Sequence, residues 1–297
     1  MPAALCGLFG FRPSPGRYPD GGMLSLTPTR DTAGPMTRSL EDLLLVDSVL
    51  AARPVVTGRG TAQAARLGIS PCHNVDLHPD VADKYMQVQA RLQGHGFLFV
   101  DVDIDDIVHD AEKIATIILW GEAADCLENY LLEHNGPTLQ ELVRTTASPD
   151  VKQLLISGLR SVNQDEYHAA LHRRQQLREE LRRRLDNSDV QALMFPTVPV
   201  VAPLAEQDEW MELNGRMVPT FSTLIRHADL GGVLGLPGIS VPVGTGARSR
   251  LPVGMEFSSA ADTDNELLAL VAAMEPLITE ITPPSGLPDS GPATVYP

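Results

Sequence analysis

The sequence predicts an α/β protein, a mixed β-sheet core flanked by helices on both faces. Residues 66–104 read strand, helix, strand, the pattern that calls for a parallel or mixed sheet. Two runs within 238–257, Gly238-Ile-Ser-Val-Pro-Val and Pro252-Val-Gly-Met-Glu-Phe, are apolar on alternate and consecutive positions alike. Such runs suit adjacent strands in the middle of a sheet covered on both faces. Residues 108–186 are helical in pattern almost throughout.

Taken in order, residues 1–37 are rich in Gly and Pro, with turn signals at Pro15-Gly16, Asp20-Gly21-Gly22 and Gly34-Pro35. They are expected to form a functional, loop-dominated segment. Ser39 is a helix N-cap, with Asp42 three residues on and an apolar stripe through Leu40, Leu43, Leu44 and Leu50, ending before Pro54. Arg66-Leu-Gly-Ile-Ser is a short strand, residues 79–93 a helix with Pro79 at its first turn, and Phe97 to Ile104 the next strand. The helical stretch breaks at Asn135-Gly136-Pro137 and Ser148-Pro149 and ends in an arginine-rich run from Arg173 to Arg184. Glu166, Glu179, Glu180 and Asp186 are interleaved with it, which reads as a solvated, salt-bridged face. Ala192-Leu-Met-Phe-Pro is a buried strand. Glu212 to Val218 is a hairpin, with Asn214-Gly215 at the positive-φ positions of a type I′ turn. Asp262 to Ile278 closes the fold as an amphipathic helix capped by Asp262 or Thr263. Residues 1–282 read as one domain and 283–297, poor in apolar residues, as a disordered tail.

Composition narrows the function. The 297 residues carry a formal net charge of −15 and a pI near 4.9, which repels nucleic acid and anionic membrane surfaces. No apolar run has the length of a membrane span, and no secretory signal opens the sequence, so a cytoplasmic location is expected. Cys6, Cys72 and Cys126 are scattered without C-x-x-C spacing, consistent with a reducing compartment. Lysine occurs only at 84, 113 and 152.

Common catalytic and cofactor motifs are missing: no G-x-S-x-G elbow, P-loop, G-x-G-x-x-G after a strand or H-E-x-x-H. His168 and His172 share a helix face, but no third ligand lies nearby in sequence. Asp101, Asp103, Asp105 and Asp106 lack the glycine and terminal glutamate of a calcium loop, and the alternation of Val100, Val102 and Ile104 reads as a strand with a polar face. Neither a metal nor a cofactor is predicted.

Three anchors carry a family resemblance across most of the chain. Pro2-Ala3, Cys6-Gly7 and Gly10-Phe11-Arg12-Pro13-Ser14 match P-A followed by C-G-x-x-G-x-[KR]-P-[ST]. Arg30-Asp31-Thr32-Ala33-Gly34-Pro35-Met36 with Arg38-Ser39 matches D-T-x-G-P-[ML]-x-R-[ST]. Leu236 to Pro242 and Leu251 to Glu256 form the second anchor, and Glu212 to Arg226 the third. Together they resemble the amidase signature family, the third anchor being similar to indoleacetamide and mandelamide hydrolases. In those, Asn-Thr-Asp-Pro-Gly follows, where this chain has His227-Ala228-Asp229-Leu230-Gly231.

The resemblance implies the amidase signature fold and hydrolysis of a small aryl or arylalkyl carboxamide by a Ser–cis-Ser–Lys triad. It also places the nucleophile three residues before Met1, so these 297 residues are expected to form the C-terminal portion and to be inactive alone. Cys6, Gly7, Arg30, Asp31, Thr32 and Gly34 are then site-supporting, with Asp31 buried against backbone groups around Thr32 to Gly34. His227, Asp229, Gly231 and Pro237 are substrate-pocket candidates, while Ser14, Ser25 and Ser39 read as turn or cap residues. A homodimer or a complementing N-terminal fragment is the partner expected besides the amide. Two alternatives remain open: a non-catalytic binding protein, and a subunit like that of the tRNA-dependent amidotransferase.

Overall fold

A computed structural model describes residues 1–56, 65–159 and 162–279. The disordered tail expected at 283–297 lies outside the described residues.

Seven strands form one sheet in the order β2-β1-β8-β9-β5-β3-β4. These are β1 (Phe9–Arg12), β2 (Met36–Thr37), β3 (Arg66–Ile69), β4 (Leu98–Asp101), β5 (Ala192–Pro196), β8 (Gly238–Thr245) and β9 (Pro252–Ser258). β3 pairs in parallel with β4 and β5, and the other neighbours are antiparallel, so the sheet is mixed. β8 and β9 lie side by side at its centre, in register from Gly238 opposite Ser258 to Pro242 opposite Gly254. β6 (Trp210–Leu213) and β7 (Arg216–Pro219) form a separate hairpin, with Asn214 and Gly215 at φ 52° and 78°. This is the turn their sequence calls for.

Helices cover both faces. α2 (Leu40–Leu50), α3 (Pro79–Gly94) and α10 (Asp264–Ile278) bury Leu43, Val81, Leu92, Leu268 and Met274 against Phe9, Ile239, Met255 and Phe257. On the opposite face, α4 (Asp105–Glu133), α7 (Gln164–Asn187) and α9 (Asp229–Leu234) enclose Leu193 and Phe195. The Ser39 hydroxyl accepts the N–H of Asp42 and caps α2.

Three local readings need correction. Residues 1–37 are not only loop: they contain α1 (Pro2–Leu5), β1 and β2. β1 exists because it pairs with β8 from the far end of the chain, a stabilisation no local signal announces. The strand expected over 97–104 stops at Asp101. Beyond it, an Asp103 carboxylate oxygen accepts the N–H of Asp105 to open α4, while Val102 and Ile104 are buried in the second core. Neither Asp262 nor Thr263 caps α10 through its side chain. Thr263 is the N-cap residue but bonds back to Ser259 and the carbonyl of Ala260.

Candidate active site

The site begins with the alternation of the central strands. Phe9, Phe11, Ile239, Val241, Met255 and Phe257 point into the larger core. Between them, Gly10, Arg12, Gly238, Ser240, Gly254 and Glu256 occupy the opposite face, which α1 crosses closely. A β-carbon on Gly10 would stand 2.5 Å from that of Ala3, and one on Gly254 2.6 Å from that of Ala4. The glycines therefore set how near the helix comes. Gly7, at φ +67°, turns the chain from α1 toward β1, and a side chain there would press on Pro252 at 3.3 Å.

On this face Arg12 donates from Nη2 to Glu256 Oε1 at 3.0 Å and from Nε to the carbonyl of Leu236 at 3.1 Å. Glu256 is 4% exposed and Arg12 partly exposed, so the ion pair is a charge-assisted link whose carboxylate is withdrawn from bulk water. Ser240 and Thr197 share a buried hydroxyl–hydroxyl bond of 2.8 Å. A cleft of about 230 Å³ opens here, between Met1 and Ala3 of the α1 end, Gly34, Pro35 and Met36 of the rim, and Ser240 and Glu256 of the floor. Burial pushes the Met1 amine below its ordinary value, with the charge of Glu256 opposing that shift.

The rim is the segment 13–36, braced from two helices. Glu122 of α4 is buried and accepts from the N–H and the hydroxyl of Thr29, at 3.1 and 2.6 Å, and from Tyr167 at 3.1 Å. Arg174 of α7 donates to the Thr29 carbonyl. Arg30 donates to the carbonyl of Ala115. Burial lowers the Arg30 guanidinium, with Asp229, Asp31 and Glu122 opposing. Burial raises the Asp229 carboxyl, with Arg30 opposing.

Asp31 departs from expectation. It is half-buried, and its partners lie upstream: the N–H groups of Leu26 and Thr27 and the hydroxyls of Ser25 and Thr27. The rim doubles back on itself, so the carboxylate meets 25–27 rather than 32–34. Burial works to raise its pKa, but the bonds from Thr27, Leu26 and Ser25 outweigh this and hold it below the usual value. Thr32 donates only to the neighbouring carbonyl of Ala33.

The segment from 226 to 238 forms the far wall. A β-carbon on Gly231 would overlap the Arg12 guanidinium, and one on Gly238 would sit 2.5 Å from Glu256 Oε1. Arg178 of α7 donates from Nε to the Leu234 carbonyl. Thus Arg174 and Arg178 turn inward to brace the rim and this wall, correcting the reading of α7 as a wholly solvated face. Arg173 pairs with Glu180 of its own helix, as the interleaved acids suggest, while Arg173 and Arg184 also reach across to Asp110 and Asp106 of α4. Pro237 is buried, and its carbonyl accepts from Ser258.

His227 is also buried. Its Nδ1 lies 2.6 Å from the Pro196 carbonyl, which can only accept, so Nδ1 carries the proton and Nε2 is left without a partner. It meets His73 edge-on at 5.2 Å, and His73 stacks on Phe195 at 4.1 Å. Burial lowers both rings, to about 3 for His73 and about 4 for His227, so both are neutral at pH 7.

Of the residues singled out from sequence, Gly34 lines the cleft. Cys6 and Gly7 end the helix above it. Arg30, Asp31 and Thr32 belong to the rim, while Asp229, Gly231, His227 and Pro237 belong to the wall. Arg12, Ser240, Glu256 and Glu122 were missed. Arg12 and Glu256 are charged residues on the small-residue face of otherwise apolar central strands, and both lie within the family anchors, the signals that marked them. Among the described residues, no three His, Cys, Asp or Glu side chains converge as a metal site.

Residues 1–268 match the amidase family, and the chain belongs to it. It is 34% identical over 286 residues to an indoleacetamide hydrolase of Agrobacterium vitis, covering 94% of this chain and 60% of that protein. To a mandelamide hydrolase of Pseudomonas putida it is 30% identical over 296 residues, covering 94% and 56%. A crystal structure of an amidase superposes with a TM-score of 0.78 at 26% identity, covering 94% of this chain and 60% of that one. The chain therefore spans about 60% of the length of the relatives it matches.

Proposed function

We propose that these residues form the substrate-side part of a cytoplasmic hydrolase that converts a small aryl or arylalkyl carboxamide to the carboxylate and ammonia. The observation that carries this is the cleft beneath α1. Met1 lines it, and the family resemblance puts the nucleophilic serine three residues before Met1, at the mouth of the same cleft. The rim and wall then enclose the acyl group, while the Ser–cis-Ser–Lys chemistry comes from family segments outside residues 1–297. The 34% identity to an indoleacetamide hydrolase supports the arylalkyl assignment.

On this reading residues 1–297 alone do not hydrolyse amides, since the family's G-G-S-S-G-G run occurs nowhere in them. The complementing element is an N-terminal amidase portion, joined or supplied as a separate fragment. The test is the DNA directly upstream of the Met1 codon together with an amide panel. A reading frame encoding G-G-S-x-R there, and hydrolysis of indoleacetamide or mandelamide by the joined protein, support the reading. An upstream sequence with no such frame, and no hydrolysis on joining, favour a non-catalytic binding protein instead.

A further inference from the structure

We propose that Glu256 recognises the –NH2 group of a primary carboxamide bound in the cleft beneath α1, a specificity role that rests on the hydrolase reading above. Glu256 lines the cleft yet is only 4% exposed. Its Oε1 accepts from Arg12 at 3.0 Å. Among the described residues nothing donates to Oε2. That oxygen is not one of the occluded polar atoms lacking a partner, which are Tyr85 Oη, Arg226 Nε, His227 Nε2 and Thr279 Oγ1. Its surface therefore opens into the cleft, where a strong, largely desolvated acceptor waits for a donor.

The surroundings select the donor. Arg12 already balances the carboxylate charge, and the Met1 amine, whose charged form Glu256 favours, lines the same cleft, so a further cation would meet like charge whereas a neutral N–H donor does not. Gly238 makes room for the ion pair that fixes the carboxylate, because a β-carbon there would collide with Oε1 and with Arg12 Nη2, at 2.5 and 2.6 Å. Ser240 Oγ, held by Thr197, retains a lone pair at the floor for the second amide hydrogen. Apolar lining from Pro2, Ala3, Pro35 and Met36 suits a hydrocarbon acyl group. A primary amide offers both hydrogens. An N,N-dialkyl amide offers none and would leave Oε2 unpaired.

The test is binding rather than turnover, so its outcome is separate from that of the hydrolysis assay. Ligand-observed NMR and calorimetry on the full 297-residue chain would compare phenylacetamide, N,N-dimethylphenylacetamide, phenylacetate and phenylacetamidine. The primary amide is expected to bind saturably and the dimethyl amide about 10- to 100-fold more weakly, the usual effect of unpairing a charged acceptor. E256M is expected to lose a similar factor, while E256Q, which keeps an acceptor oxygen, stays within about threefold. Should E256M fail to fold, the ligand series on the unmodified chain still decides. Equal binding of both amides, tighter binding of the amidine, full retention in folded E256M, or no saturable binding of phenylacetamide would each overturn the proposal.

Discussion

Adding one methyl group at position 10 measures how tightly α1 is pressed onto the sheet. The alanine β-carbon of Gly10→Ala would lie 2.5 Å from that of Ala3, where carbon atoms normally rest about 3.5–4.0 Å apart. The helix must therefore lift by about 1 Å or more, and overpacking of this kind costs about 1–3 kcal/mol. Against this, alanine is better than glycine in a strand by about 0.5–1 kcal/mol. The net expectation is a loss of about 1–2 kcal/mol, read as a lower urea midpoint with an unchanged slope. Ala3→Gly alone should cost about 1 kcal/mol in helix propensity. Its β-carbon is the only close neighbour of the added methyl, the next atom being Met36 Cγ at 3.8 Å. The double variant should thus recover about 1–2 kcal/mol relative to the sum of the singles. Additive effects, or a neutral Gly10→Ala, would show that α1 does not sit on this face as described.

Asp47→Ala should cost about 3–5 kcal/mol, because it takes both carboxylate oxygens from the buried Arg17 guanidinium, leaving it Asn265 and the more distant Asp264, and unpairs the Tyr18 hydroxyl; equilibrium unfolding measures it, and a loss below 1 kcal/mol refutes it. Both buried histidines titrate below their free value of 6.5, so the unfolded chain gains protons first as pH falls. Their contribution is whole above pH 6.5 and declines from there toward pH 4, by up to about 1.4 kcal/mol per pH unit for each ring. Unfolding free energies at pH 7.5, 6.5 and 5.5 should show that slope in the parent and less of it in His73→Phe and His227→Phe; a flat profile contradicts it. Glu122→Ala should loosen the rim, so that trypsin cleaves after Arg30 about 10- to 100-fold faster, and an unchanged rate would show that Thr29 does not depend on Glu122.

How legible each part was depended on how local its cause is. Ser39 caps α2 and Asn214-Gly215 closes the hairpin because the deciding atoms lie within three residues of each other. β8 and β9 could be read because strands buried on both faces show unbroken apolar runs. β1 and α1 are four residues each and owe their existence to β8, β9 and one another, so turn signals masked them. The site was harder still. Arg12 meets Glu256 across 244 positions and Thr29 meets Glu122 across 93, and no spacing rule reaches that far. The inward arginines had a fainter trace. Arg174 and Arg178 are four apart, on the side of the helix carrying the buried Leu177 and Leu181, but their interleaved acids suggested a solvated surface.

Ammonia release from indoleacetamide tests the account most directly. Residues 1–297 alone should give no saturable rate, and the same residues joined to the N-terminal portion of a related indoleacetamide hydrolase should give one that is lost when the supplied serine nucleophile is changed to alanine. A saturable rate from 1–297 alone that persists through repurification, or a joined protein that folds and stays silent with every small primary amide, would contradict it.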